Sequence, residues 1–482
     1  MAEEGAQRLA RDPSSAVVCV DFGSTFTKAA LVDLDTGDLL ATASHATTLP
    51  GVGGDGDVLD GYDVCVSVLA EQDPAALEAD VLACSSAGGG LRIAVVGNEE
   101  LVTAEAGRRV ALSSGGKVVL VLSGGLDADK LTELREAEPD VVLLVGGTDG
   151  GNAEVLEGDA GLLAATPWPG PVVVAGNVES QSLVKACFEE SRTPYVLADN
   201  VVPKIGVLAP DSARRAIREI FLSHVIGGKH LSSRTDARGR AFTDLVRGAT
   251  PDVVLTGVEL LARGLDDQHP GAGDVVVVDV GGATTDVHSV VELDPETTSI
   301  DGHGLSREVV GLTPVTRTVE GDLGMRWSAI STAEAAGRED LATAATRRRT
   351  HPDFLPDSDS EREADLDIAA AAVRIALERH AGRSKVVVSP EGRVIERSGK
   401  DLREVDLLVG SGGVLRHGGP DAVRRVLLPA TGDAFEGGWQ LPRDPAVVVD
   451  RDYVLAAAGL LAEEHPVTAH RLVSRLHTAG DR

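Results

Sequence analysis

The chain has 482 residues, 43% of them hydrophobic and 25% charged, a composition typical of a globular protein with about two to four domains. Its 75 acidic residues outnumber the 45 basic ones, and the resulting net charge of −30 repels nucleic-acid phosphates and anionic lipid. The sequence therefore argues against nucleic acid or a membrane as a partner.

The cysteine pattern and the first residues indicate the cellular compartment in which the protein is expected. Cys19, Cys65, Cys84 and Cys187 form no Cys-x-x-Cys pair, so reduced structural thiols are expected rather than a disulfide frame or a zinc site. The first residues carry no signal pattern, and no apolar run reaches the ~18 residues of a spanning helix. We expect a cytoplasmic protein whose residues 1–11 are a disordered N-terminus.

The first predicted element is the strand in VVCVDFGSTFTK (residues 17–28), which ends on Asp21 and turns at Gly23. Two further strands are expected at 26–33 and 39–45, joined by an LDTGD turn. The pattern predicts a meander that opens on a loop the size of a phosphate. The alternation in YDVCVSVLA (62–70) predicts one more strand.

From about 80 to 230 the chain alternates Val-rich strands, Gly-rich loops and helices, which predicts a mostly parallel sheet covered on both faces. Helical patterns follow at 238–263. Further along, the sequence predicts a helix at 327–346, a disordered loop at 347–361 that contains three consecutive arginines, and a strong helix at 361–380. Near the end, DYVLAAAGLLAEE predicts a helix whose small residues let another backbone approach.

A second stretch, VVVVDVGGATTD (residues 275–286), aligns with the first without a gap and places Asp21 on Asp279 and Gly23 on Gly281. Turn glycines leave backbone N–H groups open to a phosphate, and neighbouring hydroxyls can donate to its oxygens. The aspartates can hold Mg²⁺ through water or orient an attacking water. Either copy alone favours an ordinary turn, but the duplication predicts two cradles that clamp one ATP or ADP.

The ordered series of motifs resembles the ASKHA superfamily of actin, sugar kinases and the heat-shock chaperone ATPase. Its phosphate-1, phosphate-2, adenosine and connect-2 motifs are similar to DFGSTFTK, DVGGATTD, LLVGSGGVLRH and DYVLAAAGL. The resemblance implies a two-lobed actin-like (ribonuclease H-like) α/β ATPase duplication with an inserted or extended parallel α/β segment. Lobe I is expected at 12–260, lobe II at 270–455, and C-terminal helices at 456–482 that return toward lobe I.

Residues of this series are the predicted site. Asp21 and Asp279 are the expected catalytic and magnesium-binding residues. The expected nucleotide-binding residues from the phosphate motifs are Gly23, Ser24, Thr25, Thr27, Lys28, Gly281, Gly282, Thr284 and Thr285. Those implied by the resemblance in the ribose and adenosine regions are Glu320, Gly321, Asp322, Gly324, Arg326, Gly410, Gly412, Gly413 and Arg416. Strand alternation leaves open whether Lys28 faces phosphate or solvent.

A closer resemblance covers nearly the whole chain, through VDFGSTFTK, CSSAGGGLR, LLVGGTDGGN, VVVAGN, RTVEGDLGMR and LVGSGGVLRH. These stretches are similar to the MutL-type glutamate mutase (methylaspartate mutase) accessory proteins. That family implies a slowly ATP-hydrolysing reactivating chaperone whose partners are the subunits of an adenosylcobalamin-dependent mutase. Three alternatives stay open: an iron–sulfur activator of a CoA dehydratase, an ASKHA small-molecule kinase, and a nucleotide-gated binding module without turnover.

Overall fold

The computed structural model describes residues 13–50, 56–166, 168–292, 313–389, 392–432 and 438–478. The expected disordered N-terminus at 1–11 lies outside these ranges. No helix in them has both the length and the apolar character that crossing a membrane requires.

Strands and helices alternate along most of the chain. The strands are β1 (Ala16–Phe22), β2 (Phe26–Asp33), β3 (Leu39–Ala46), β4 (Asp80–Ser85), β5 (Leu91–Val96), β6 (Gly116–Leu122), β7 (Val141–Leu144), β8 (Val172–Val174), β9 (Tyr195–Leu197), β10 (Val246–Ala249), β11 (Gly264–Asp266), β12 (His269–Pro270), β13 (Val275–Val280), β14 (Thr285–Val290), β15 (Val315–Glu320), β16 (Arg383–Ser389), β17 (Gly392–Ser398), β18 (Leu407–Ser411) and β19 (Ala446–Val449). The helices are α1 (Val58–Gln72), α2 (Glu105–Ser113), α3 (Ala128–Glu136), α4 (Glu154–Ala165), α5 (Gln181–Ser191), α6 (Asp211–Ile220), α7 (Ile226–Gly228), α8 (Phe242–Leu245), α9 (Thr250–Arg263), α10 (Ala329–Ala335), α11 (Ala342–Thr350), α12 (Asp359–His380), α13 (Gly413–His417), α14 (Gly419–Ala422), α15 (Val454–Leu461) and α16 (Pro466–Thr478).

Two five-stranded sheets share one topology. The first sheet has the order β10-β4-β1-β2-β3 and the second has the order β19-β18-β13-β14-β15. In each, the first hairpin strand is antiparallel to its successor and parallel to the strand on its other side. This repeated mixed sheet confirms the predicted actin-like (ribonuclease H-like) α/β duplication.

A third sheet, which we call the inserted sheet, has the order β6-β5-β7-β8-β9 and is parallel throughout. It lies in the chain between β4 and β10 and confirms the predicted parallel α/β segment. Its buried side chains, such as Ile93 and Leu143, join those of the first sheet, such as Val18 and Phe22, in one hydrophobic core. The inserted sheet and the first sheet therefore form one packed body.

Helices α9 and α15 follow the last strands of the first and second sheets and pack against each other between the two sheets. The crossing is close because both helices present a glycine. A Cβ on Gly257 would lie 2.2 Å from the Leu455 carbonyl oxygen, and one on Gly459 would lie 1.9 Å from the Val253 oxygen. The predicted close backbone approach at the small residues of the last motif is confirmed.

Helix α16 then reaches the β2–β3 turn of the first sheet. Thr468 Oγ1 donates to the Leu34 carbonyl, and the Arg475 guanidinium bonds the Asp38 carboxylate. The last helix thus packs on the end of the chain's first hairpins.

Some predicted elements are wrong. Residues 62–70 belong to α1, because Leu59, Tyr62, Cys65 and Leu69 are buried on one face at helical spacing and Asp57 closes a capping box. Within the predicted helix at 238–263, residues 246–249 form β10, which pairs with β4. In that segment, pairing with the distant strand β4 determines the structure more than the local helical pattern does.

The three arginines do not lie in a disordered loop. They end α11, and Arg348 is fully buried, with Nε 2.6 Å from Asp365 Oδ1 and Nη1 3.0 Å from Glu361 Oε2. The prediction failed because a charge run was assumed to face water, whereas the acidic start of α12 pairs with it.

Candidate functional site

The two Asp-x-Gly hairpins have the same turn. The N–H of Gly23 donates to the Phe26 carbonyl at 3.1 Å, and the N–H of Gly281 donates to the Thr284 carbonyl at 2.9 Å. The register is also the same, since Asp21 lies opposite Lys28 and Asp279 lies opposite Asp286. The duplicated sequence therefore builds a duplicated local structure.

The tips of the two hairpins meet. Thr25 Oγ1 lies 3.3 Å from the position that a Cβ on Gly282 would take. Within the part of the chain that the structure describes, the backbone N–H groups of Ser24, Thr25, Gly282 and Ala283 have no acceptor. The Thr25 hydroxyl is buried at this contact without a hydrogen-bond partner among the described residues. Such a set of unpaired donors around one contact is the arrangement that a polyphosphate requires. Thr285 shares the core face of the second sheet with Val280 and Val287, opposite to the face of Asp279.

Asp21 is held in place from three sides. Its Oδ1 accepts a 2.6 Å hydrogen bond from Thr250 Oγ1, at the start of α9, and a weaker one from Cys84 Sγ. Its Oδ2 lies 3.7 Å from Lys28 Nζ. The side chain is only 4% exposed, so these contacts fix its orientation.

Asp279 shares the electrostatic environment of Asp21. Burial raises the pKa of the Asp279 carboxyl, Lys28 opposes that rise, and the carboxylates of Asp286 and Asp21 add to it. Lys28 and Asp21 therefore act electrostatically on Asp279 across the two hairpins. The raised pKa makes the ionised Asp279 a stronger proton acceptor than an ordinary aspartate.

Lys28 faces the site rather than solvent. Its Nζ lies 3.4 Å from the centre of the Tyr453 ring, while the Arg416 guanidinium lies 5.6 Å from the same ring. A small open cavity of about 20 Å³ lies at Asp21 and Lys28, between the first sheet and α15, with Arg416 and Tyr453 in its wall. The second hairpin does not line this cavity.

The second hairpin loop is supported from behind by residues 325–328. The N–H groups of Arg326 and Trp327 donate to the Gly282 carbonyl, and Ser328 Oγ donates to the Ala283 carbonyl. The Arg326 side chain points away from the hairpins, with Nη1 3.4 Å from Asp365 Oδ1. Its main chain contacts the loop, whereas its guanidinium belongs to the Arg348 network.

The predicted ribose residues are engaged elsewhere. Arg379 Nη1 lies 2.7 Å from both Glu320 Oε2 and Asp322 Oδ1. A Cβ on Gly324 would lie 2.8 Å from the Ala283 carbonyl carbon, so Gly324 allows the backbone to approach the second loop. A Cβ on Gly321 would lie 3.5 Å from the Lys117 ammonium nitrogen.

The predicted adenosine loop follows β18, beside the second hairpin. A Cβ on Gly410 would meet Leu427 at 2.7 Å, and one on Gly412, which has a φ of 106°, would lie 2.2 Å from the Val280 carbonyl. Close packing therefore explains why glycine is needed at both positions. Gly413 has open space around it and begins α13, while Arg416 Nε donates to the Arg451 carbonyl at 2.7 Å.

Sequence reasoning missed several side chains that contact the aspartates or the hairpins. They are Thr250, Asp286, Arg317, Ser411 and Tyr453. The gapless alignment of the hairpins could have found Asp286, which stands where the first copy has Lys28. The other four come from segments with no duplicated motif, so only the folded chain brings them to the site.

A magnesium site built from protein ligands alone is not present in the described ranges, which contain no metal-binding group of three or more His, Cys, Asp or Glu side chains. Mg²⁺ that is bound through water and substrate phosphates needs only one or two carboxylates. Asp21 and Asp279 supply that number.

Three of the four cysteines are inaccessible. Burial raises the pKa of the Cys19 thiol to about 12, of Cys65 to about 11, and of Cys84 well above its usual value. Each donates to a backbone carbonyl, whereas Cys187 is partly exposed. Buried, protonated thiols are poor ligands for an iron–sulfur cluster.

We therefore expect one thiol of the native protein to react rapidly with Ellman's reagent and four to react in guanidinium. Cys187→Ser should remove the rapid reaction. The measurement is the absorbance of released thionitrobenzoate, together with a visible spectrum of anaerobically purified protein. A brown protein, or rapid reaction of three thiols, would favour the dehydratase-activator alternative.

The chain matches the family model described as MutL protein over residues 17–476. Protein MutL of Clostridium tetanomorphum is 35% identical over 477 residues, which cover 95% of this chain and 98% of that protein.

Solved structures are more distant. A glycerol dehydratase reactivase has 12% sequence identity and a TM-score of 0.31. The match covers 92% of this chain and 99% of the reactivase chain. The activator of the 2-hydroxyisocaproyl-CoA dehydratase from Clostridium difficile, with bound ADPNP, has 10% identity, a TM-score of 0.29 and coverage of 97% of both chains. TM-scores this low do not establish a shared function. The sequence matches span nearly the whole chain, and by them it belongs to the MutL protein family.

Proposed function

We propose that this protein binds Mg-ATP between its two hairpins, hydrolyses it slowly and acts in the cytoplasm as a reactivating accessory protein of an adenosylcobalamin-dependent glutamate or related mutase. One observation carries the nucleotide part. Two equivalent Asp-ended hairpins meet at their tips, where backbone N–H groups and the Thr25 hydroxyl have no hydrogen-bond partner within the described ranges. The mutase part rests on the family and on the resemblance from which it was inferred.

The residues present suit a nucleotide with its metal. The loops after Gly23 and Gly281 would hold phosphate oxygens through N–H groups and hydroxyls, and Lys28 would neutralise part of the phosphate charge. Asp21 and Asp279 would hold Mg²⁺ through water. The metal would supply charge neutralisation when bound.

The protein groups have separate tasks in this proposal. Thr250 and Lys28 fix the orientation of the Asp21 carboxylate. Asp279, with its raised pKa, accepts a hydrogen bond from the attacking water and aligns it. Slow turnover suits a switch, because each nucleotide state must last long enough to act on a partner.

The energetic requirement of such a switch is modest. Moving a partner-binding equilibrium from 1:99 to 99:1 takes about 5.5 kcal/mol of differential binding. Closing or opening two sheets about one shared nucleotide changes enough contacts to supply it.

Thr25→Val tests the nucleotide site without removing a hydrogen bond in the described part of the protein, because the buried Thr25 hydroxyl beside Gly282 has no partner there. We expect ATP affinity to fall about tenfold or more, since a hydrogen bond to a charged oxygen is lost. The thermal midpoint should change little. Titration calorimetry with Mg-ATP measures the affinity.

Thr316→Val is the matched control, because the Thr316 hydroxyl is paired with Ser289 at 2.9 Å outside the hairpins. We expect it to reduce stability by about 1 kcal/mol and to leave ATP affinity unchanged. Equal affinities in wild type and Thr25→Val would count against the assigned phosphate site.

The partner is tested by capture from cell extract on the immobilised protein, with ATP and with ADP. We expect subunits of a cobalamin-dependent mutase to be retained in one nucleotide state and released in the other. Mass spectrometry identifies the retained proteins. Identical retention in both states would refute a nucleotide-driven role.

A further inference from the structure

Arg317 joins the second hairpin to the inserted sheet. It lies on β15, is 5% exposed, and its Nη2 donates to Asp286 Oδ1 at 2.6 Å. Its Nη1 donates to the carbonyl of Leu112 at 3.2 Å, in the last turn of α2. One buried guanidinium therefore bonds the hairpin strand that carries Asp286 and a helix that follows β5 of the inserted sheet.

The interaction is well matched in charge. The C-terminal end of a helix carries a partial negative charge, so the Leu112 carbonyl favours a cation. An electrostatic attraction acts between the same elements: Glu105 on α2, and more weakly Glu320 on β15, raises the pKa of Arg108 on α2. Arg317 thus lies in the α2–β15 interface, and β15 is an edge strand of the second sheet.

The position of this link has a mechanical consequence. The inserted sheet shares its core with the first sheet, whereas the second sheet has a separate core around Val278 and Leu408. The hairpin tips are in contact at Thr25 and Gly282, so a phosphate group between them must move the two sheets apart. That movement stretches the Arg317–Leu112 bond, because its two ends belong to different bodies.

We propose that Arg317 is a positioning residue that couples nucleotide occupancy of the hairpins to the docking of α2 on β15. When the hairpin tips are in contact and no nucleotide is bound, the Arg317 guanidinium holds both Asp286 and the end of α2. Binding of Mg-ATP between the hairpins releases α2 and uncovers the edge of β15. This inference rests on the proposed nucleotide site and adds its regulation.

Arg317→Lys separates the two bonds. Lysine keeps a positive charge beside Asp286 but lacks the planar fork that bonds two acceptors at once. We expect amide hydrogen exchange in residues 105–116 of this variant to be at least about fivefold faster than in wild type without nucleotide. By reciprocity, the variant should bind Mg-ATP about fivefold tighter, because opening no longer breaks the link.

Wild-type protein should show the same fivefold increase in exchange of residues 105–116 only when Mg-ATP is added. The control is Arg374→Lys, since Arg374 pairs with Glu378 on the partly exposed face of α12 and should behave as wild type. A purely structural Arg317 would lower the thermal midpoint of the lysine variant yet leave its ATP-dependent increase intact.

The outcomes are distinguishable. Calorimetry that detects no ATP binding to wild type refutes the proposed function. ATP binding without any change in α2 exchange overturns the coupling alone. The coupling is also overturned if amide hydrogen exchange of α2 in nucleotide-free Arg317→Lys is the same as in wild type, regardless of the effect of ATP on that exchange.

Discussion

Asp279→Asn is expected to reduce Mg²⁺-dependent release of phosphate from ATP at least about 100-fold, with the protein still folded. Asparagine keeps the shape of the side chain and can still bond Ser411, but it cannot accept a proton or hold hydrated Mg²⁺ as an anion. Asp21→Asn should have a similar effect, because it removes the charge that pairs with Lys28. A coupled phosphate assay with and without Mg²⁺ measures the loss.

The matched control is Asp274→Asn. Asp274 immediately precedes β13, and Asp279 lies near the other end of that strand. Burial raises the pKa of the Asp274 carboxyl, as it does that of Asp279. It bonds the Glu292 N–H, away from the hairpin tips. We expect unchanged phosphate release from this variant. Full activity in both Asp21→Asn and Asp279→Asn would refute the assigned chemistry.

The raised pKa of Asp279 also fixes the direction of the pH dependence. A group with a raised pKa takes up its proton at a higher pH than an ordinary aspartate, so the ionised form is lost earlier as pH falls. Phosphate release should therefore decline on acidification at a higher pH than the usual aspartate range. A pH–rate profile of wild-type protein tests this sign.

The duplicated hairpins were predictable because the same residues recur at the same spacing. Asp21 and Asp279 lie at equivalent positions, and Gly23 and Gly281 make the same turn. The parallel inserted sheet was predictable for a different reason, since its Val-rich strands are buried on both faces and alternate with helices. These are local signals that the fold preserves.

Other features depend on contacts between distant segments. The strand β10 forms because Val246 and Ala249 pair with β4, far away in the chain. The fully buried Arg348 requires Asp365 and Glu361 from the next helix. No local pattern marks such residues, because their burial is decided by the partner.

The candidate site also contains residues that a local sequence signal predicts and residues whose positions depend on distant contacts. The predicted phosphate residues lie in the hairpins that meet, whereas Glu320 and Asp322 pair with Arg379, and Arg326 points to Asp365. Their positions came from a family motif that the sequence resembles. The directions of their side chains depend on α12, which the motif does not include.

Gly459→Ala is expected to destabilise the protein by about 3 kcal/mol or more and to lower its thermal midpoint by roughly 3 °C or more. The added Cβ would lie 1.9 Å from the Val253 carbonyl oxygen, and a backbone atom cannot yield as a flexible side chain does. Helices α9 and α15 must then separate. Gly257→Ala should act likewise, since its Cβ would lie 2.2 Å from the Leu455 oxygen.

Gly161→Ala is the control for the change of residue type. Gly161 lies inside α4 with no neighbouring atom within 4 Å of an added Cβ, so alanine should stabilise the helix by up to about 1 kcal/mol. Differential scanning fluorimetry compares the three variants. If Gly459→Ala melts at the same temperature as Gly161→Ala, the helices do not cross in contact at these glycines.

The same variant links the helix crossing to nucleotide binding. Because α9 and α15 follow equivalent strands of the two sheets, separating them also moves the two hairpins that share the nucleotide. A ligand that binds the folded protein and not the unfolded chain stabilises the folded protein by about 2.7 kcal/mol at 100 times its dissociation constant. Mg-ATP at that excess should therefore restore much of the midpoint lost in Gly459→Ala, whereas Mg²⁺ alone should restore none.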